Sequence, residues 1–209
     1  MKLFLASASV RGQVPQLTDL VGPGAVVAVS ANALDADDAL RAGWLEREVT
    51  ALAAAGLSPI ELDLRDYYRR PEGLQAALAG VDMIWATGGN VFVLRKALQR
   101  SGLDALLQES LRADALAYGG SSAGGCICAP SLRGIELVED AEAAGEPIFA
   151  GLGLVDFAIV PHVGADGGAG EAMERLVDYF RLAGVPYRPL RDGQAIVVRD
   201  GRTTTIELY

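Results

Sequence analysis

The chain has 209 residues, 51% of them hydrophobic, and a net charge of −9. That length suits a single α/β domain over residues 1–209, with enough apolar material for a substantial core. The negative charge disfavours nucleic acid and an anionic membrane surface as partners, and no apolar run approaches the roughly 20 residues of a membrane-crossing helix.

The elements follow in order. Lys2–Ser7 reads as a buried strand, its apolar run being too short for a signal segment. Val26–Val29 is a second strand after the turn Gly22-Pro23-Gly24. From Asp37 to Ala55 the period becomes helical, with Ala42, Leu45, Val49 and Leu52 on one face and Arg41, Glu46, Arg47 and Glu48 mostly elsewhere. Gly56 ends that helix. Ile60–Leu64 is a third strand, Asp66–Pro71 a polar connection, and Glu72–Ala79 a short helix. Val81–Ala86 is a fourth strand, ending at Thr87-Gly88-Gly89-Asn90. Helices Val91–Gln99 and Leu103–Arg112 follow, then an apolar run from Ala113 to Tyr118. Small residues from Ala123 to Ala129 begin another helix. Leu132–Pro147 is acidic and irregular, with a strand or hairpin suggested at Ile135, Leu137 and Val138. Phe157–Pro161 is a strand ending at His162, Gly164–Gly170 a glycine-rich loop, and Glu171–Ala183 an amphipathic helix. The tail, Tyr187–Leu208, holds three short strands with a turn at Asp200-Gly201.

Strands alternating with helices imply a doubly wound, mostly parallel sheet with helices on both faces. In such sheets the working residues gather at the carboxyl ends of strands. Gly88-Gly89-Asn90, Ser122 and His162 are expected there. Glycine is abundant, at 25 residues, which suits the positive-φ turns between strands and helices.

The sequence Gly120-Ser121-Ser122-Ala123-Gly124 reads G-x-S-x-G between a strand and a helix. That is the pattern of a nucleophile elbow, in which the serine sits on a strained turn and the glycines let neighbouring backbone pass closely. The spacing favours Ser122 over Ser121. His162 is the only histidine, so an imidazole base from this chain has to be His162. A carboxylate must orient that imidazole. Asp166, Asp178 and Asp192 are candidates, with Glu136, Glu139 and Asp140 as further ones. Asp192 is favoured by its place in a turn between two strands. The N–H of Ala123 and one from Gly88-Gly89 are the expected oxyanion donors. The glycine turn lacks the G-x-G-x-x-G spacing, and no Walker lysine follows either turn, so no nucleotide cofactor is expected. Cys126 and Cys128 are too close for an unstrained disulfide and too few for a zinc site, so neither metal nor disulfide is expected. They are read as packing residues, and Trp44 and Trp85 as core or rim. Together these features point to the cytoplasm.

The same residues resemble peptidase E, the α-aspartyl dipeptidase family of serine peptidases. The likeness is carried by Leu3-Phe4-Leu5-Ala6-Ser7-Ala8-Ser9, Gly88-Gly89-Asn90-Val91-Phe92, Gly120-Ser121-Ser122-Ala123-Gly124, Pro161-His162 and Asp192-Gly193, in that order. The resemblance implies a flavodoxin-like fold similar to the class I glutamine-amidotransferase domain. It implies hydrolysis of dipeptides with N-terminal aspartate, without a metal or other cofactor, and is consistent with a homodimer. It implies Ser122 as nucleophile, His162 as base, Asp192 as orienting acid, Gly89 and Ala123 as oxyanion donors, and Gly88 and Asn90 in substrate binding. Aspartate-reading members are expected to carry a basic residue on the helix after the histidine loop. Met173 stands at that place, and Arg175 nearby faces another direction. Open alternatives are an exopeptidase for β-aspartyl-arginine linkages, an esterase or amidase with the same elbow, and a non-catalytic amidotransferase-like module.

Overall fold

Successive residues of a strand point to opposite faces of its sheet, and the first strand shows what that means here. In β1 (Lys2–Ala6), Leu3 and Leu5 join one apolar core while Phe4 and Ala6 join another. A strand buried on both faces belongs at the centre of a sheet covered by helices on each side. The computed structural model describes residues 1–68 and 70–208, and β1 occupies that central position. The other strands of the main sheet are β2 (Val26–Ser30), β3 (Ser58–Glu61), β4 (Met83–Ala86), β5 (Ala117–Ser121), β8 (Gln194–Arg199) and β9 (Arg202–Glu207). Their order is β3-β2-β4-β5-β1-β8-β9. The pairs from β3 to β1 are parallel, and β8 and β9 add antiparallel at one end.

Helices α1 (Pro15–Val21) and α2 (Asp38–Ala54) cover one face through Leu17, Leu20 and Leu52. The opposite face is covered by α3 (Pro71–Ala77), α4 (Val91–Ser101), α5 (Leu103–Arg112), the short α6 (Ala123–Cys126) and α7 (Gly168–Ala183), with Leu74, Leu94, Leu107, Cys126 and Phe180 among the buried side chains. The expected doubly wound, mostly parallel α/β sheet is therefore present. No helix among the described residues is long and apolar enough to cross a membrane.

Several local expectations differ from the structure. Helix α1 has no counterpart in the sequence reading, because Pro15 opens it without a side-chain cap. β3 overlaps the expected strand only at Ile60 and Glu61, starting earlier at Ser58, and Leu64 belongs instead to a 3-10 turn capped by Asp63. β5 starts at Ala117 and runs through Gly119-Gly120 to Ser121, later than the apolar run suggested. Those glycines stay in the strand because close neighbours fill the space: a Cβ on Gly120 would come within 2.6 Å of the Gly124 carbonyl carbon. Ile135–Leu137 forms a 3-10 turn rather than a strand. β6 (Ala158–Val160) lies outside the main sheet and pairs in parallel with β7 (Tyr187–Pro189). His162 therefore follows a strand of this second, two-stranded sheet.

On α2 the amphipathic reading is corrected. Arg41 and Glu48, expected mostly off the apolar face, are buried at 7% and 0% exposure, while Ala42, expected on that face, is exposed. Charges tolerate burial when partners replace water. Arg41 meets Asp35, Glu61 and Asp63, and Glu48 accepts from Ser9, Ser121 and Trp85.

Candidate active site

The elbow is a backbone feature before it is a chemical one. Ser122 caps α6 at φ 51° and ψ −113°, a conformation that non-glycine residues adopt only where the surroundings enforce it. Its N–H donates to the Ala6 carbonyl of neighbouring β1, 3.0 Å away, and its carbonyl accepts from Gly125 and Cys126. The turn is thus held from both sides with Ser122 at its apex. Ser121, one residue earlier, points to the other face of the sheet. It is 1% exposed and its hydroxyl donates to Glu48 at 2.9 Å. Ser122 follows the end of β5, and although both serines border the cleft, it is the Ser122 hydroxyl that meets the His162 ring.

His162 reaches Ser122 through two unlike constraints. Pairing of β6 with β7 sets Val160 opposite Pro189, so His162 and Asp192 leave that pair side by side. His162 then takes φ 57°, and its backbone N–H donates to the Ser7 hydroxyl at 2.8 Å. The ring lies between two partners, with Nε2 3.0 Å from Ser122 Oγ and Nδ1 2.7 Å from Asp192 Oδ1. A carboxylate accepts, so Nδ1 carries the proton and Nε2 is the acceptor for the serine hydroxyl. Asp192 itself is held in a turn closed by the Gln194 N–H on the Arg191 carbonyl. Its Oδ1 also accepts from the Ser7 hydroxyl at 2.9 Å.

The other carboxylate candidates are engaged elsewhere or stand apart. Asp178 pairs with Arg181, Glu136 accepts from Gly134 N–H, Glu139 accepts from Val91 N–H, and Asp140 caps a 3-10 turn. Asp166 is exposed and outside the cleft lining.

The Gly88-Gly89 turn faces Ser122 from β4. A Cβ on Gly88 would stand 3.3 Å from the Ser122 Cβ, and one on Gly89, whose φ is 141°, would strike the Ala33 carbonyl at 2.7 Å. Glycine is required at 89 for the backbone to come this close, and at 88 it spares Ser122 a tight contact. Among the described residues, neither the Gly89 N–H nor the Ala123 N–H meets a backbone acceptor. Asn90, expected to contact substrate, has its side chain committed to structure. It accepts from Phe92 and Val93 N–H and donates to the Asp140 carbonyl, and it lies outside the cleft lining. Met173 is likewise a packing residue against the core. Cys126 and Cys128 are free and buried, and burial raises both thiols well above their usual range.

A model of peptidase family S51 matches residues 33–206. The chain belongs to peptidase family S51. This S51 peptidase is 36% identical over 158 residues to a protein named peptidase E from Streptomyces coelicolor, covering 73% of this chain and 63% of that one. It is 32% identical over 155 residues to a protein of Drosophila melanogaster named probable alpha-aspartyl dipeptidase, covering 72% of this chain and 63% of the relative. The aligned part thus spans a little under two thirds of each relative. The crystal structure of a candidate peptidase E from Listeria monocytogenes superposes with a TM-score of 0.82 at 28% identity, covering 100% of this chain and 98% of that one.

The S51 peptidase also shows what motif reading misses. Ser7 touches both His162 and Asp192, and the only sign of it is a polar residue at the end of an apolar strand. Trp44 and Arg47 of α2, with Arg11 after β1, line the cleft around Ser122. Nothing in their local sequence marks them, because the helix brings them there through its packing on the sheet.

Proposed function

We propose that the chain is a serine peptidase that hydrolyses short peptides, dipeptides with N-terminal aspartate first among them, through an acyl-enzyme. The observation that carries the reading is the continuous relay from Ser122 Oγ through the His162 ring to Asp192, at 3.0 and 2.7 Å. In this reading His162 Nε2 takes the hydroxyl proton as Ser122 Oγ attacks the scissile carbonyl. The carbonyl oxygen becomes an oxyanion and accepts from the N–H groups of Gly89 and Ala123, with Gly88 leaving room for the substrate. His162 then gives the proton to the departing amine, the C–N bond breaks, and an ester to Ser122 remains. Water repeats the sequence, losing its proton to His162 and returning the Ser122 hydroxyl. Asp192 holds the tautomer and stabilises the imidazolium that forms twice. No step calls for a metal.

The substrate class rests on relatives named peptidase E and alpha-aspartyl dipeptidase. The two buried, unpaired cysteines suit a reducing compartment, and the cytoplasm is the proposed place of work.

The deciding experiment is a panel of N-terminally varied dipeptides assayed with the native protein and with Ser122→Ala. Loss of the nucleophile is expected to lower kcat at least about a thousandfold while thermal unfolding is unchanged. Full activity in Ser122→Ala on any cleaved peptide sinks the assignment.

A further inference from the structure

The cleft over Ser122 has a volume of about 380 Å³ and takes two arginines into its lining, Arg11 from the segment after β1 and Arg47 from α2. Both side chains are exposed. Among the described residues neither forms an ion pair. Of the nearby acids, Glu48 accepts from Ser9, Ser121 and Trp85, and Asp192 accepts from His162 and Ser7, while Glu46 is exposed and forms no ion pair with either arginine among the described residues. Two cations that form no ion pair at the mouth of a cleft, in a chain of net charge −9, suit an anionic ligand. The Arg47 guanidinium lies over the Trp44 ring, 4.6 Å from its centroid. Stacking orients the planar group and leaves its N–H edge for a carboxylate. Both arginines also border a neighbouring hollow that includes Glu46, which places them on the rim rather than at the floor.

Strand order says which end of a substrate would reach them. β4 and β1 flank β5 on opposite sides. The Gly88-Gly89 turn follows β4, so an oxyanion held there points to the β4 side of Ser122. Arg11 follows β1, on the side where Ser7 holds His162 and Asp192. The amine that His162 protonates departs toward that side. In a dipeptide the anionic group just beyond the leaving amine is the C-terminal carboxylate.

We propose that Arg11 and Arg47 bind the C-terminal carboxylate of the leaving residue and so select substrates that end one residue after the scissile bond. The inference rests on the peptidase reading above. It assigns carboxylate recognition to the wall formed by α2 and the segment after β1, while α7 presents Met173 to the core.

The test uses the full chain with Arg11→Gln, Arg47→Gln and the double variant, assayed on Asp-Leu, Asp-Leu amide and Asn-Leu. Calorimetric binding of Asp-Leu and its amide to Ser122→Ala, with and without the arginine changes, gives a readout independent of turnover. The native chain is expected to favour the free acid over the amide by at least about tenfold in kcat/KM and in affinity. In the double variant that ratio falls toward one, through KM, while the amide is handled as before. Arg47→Lys keeps part of the preference, because a lysine retains the charge without the fork. An acid-to-amide ratio that survives the double change overturns the proposal. So does a loss confined to the Asp-to-Asn ratio, which assigns the arginines to the substrate side chain. A native chain that cleaves no dipeptide defeats the peptidase reading, and the binding arm on Ser122→Ala still decides this one.

Discussion

Ser7 hydrogen bonds to two of the three members of the relay, accepting from the His162 N–H and donating to Asp192 Oδ1. It touches no reacting atom, so its role is positioning. Ser7→Ala leaves His162 N–H without its acceptor and Asp192 with one donor fewer. At ~1.5 kcal/mol for a hydrogen bond to a charged group, kcat is expected to fall about tenfold with KM nearly unchanged, measured by steady-state kinetics. A rise in KM with constant kcat would place Ser7 in ground-state binding instead. Asp192→Asn has a larger effect. Its amide can donate to Nδ1, which leaves the proton on Nε2 and removes the acceptor for the Ser122 hydroxyl. A loss of about a thousandfold or more in kcat follows, and equal activity in Asp192→Asn refutes the orienting role. Of these residues, Ser122 and His162 are legible in sequence because one sits in a five-residue pattern and the other is unique. Asp192 was one of several acids until the turn before β8 brought it to the ring.

Glu139 lies in the irregular segment between α6 and β6, and its carboxylate accepts from the Val91 N–H at the start of α4. That contact braces the Gly88-Gly89-Asn90 turn from outside. Burial pushes its carboxyl from 4.5 up to about 7, against the lowering effect of the Val91 hydrogen bond. Between these two values the folded chain holds a proton that the unfolded chain has released, so stability falls as pH rises through the window. Glu139→Gln removes the titration and keeps an oxygen to accept from Val91. The stability difference between variant and native chain is expected to shift by about 3 kcal/mol in the variant's favour from pH 4.5 to pH 8, read from urea unfolding. Parallel pH profiles would show that Glu139 titrates normally. At this scale sequence reading succeeds for the bounds of α2, whose Asp37 caps the first turn, and misses which face that helix buries. It fails for α1 and for the 3-10 turn at Ile135–Leu137, where short apolar spacing suits several local structures.

Across the whole molecule, two cores meet at one sheet, and β1 contributes to both. Phe4 and Leu5 are each 0% exposed and face opposite cores. Truncating either to alanine should destabilise the fold by about 3–5 kcal/mol for Phe4 and about 2–5 kcal/mol for Leu5. Both should weaken the site as well, since Ser7 directly follows β1. Chemical unfolding with activity measured on the same samples checks the coupling, and a variant that loses this stability while Ser122 chemistry is untouched would show that the relay stands independently of β1. The sequence alone determined the alternation of strands and helices, the elbow and its nucleophile candidate, and the only available imidazole, because each is encoded in local period, glycine spacing or residue count. Only the tertiary structure decided the rest. It placed His162 just beyond a separate two-stranded sheet, chose Asp192 among the acids, buried Glu48 behind the elbow, and set Arg11 and Arg47 at the rim of the cleft. These depend on contacts between residues far apart in the chain, and no local pattern records which distant partner will satisfy a buried or unpaired charge.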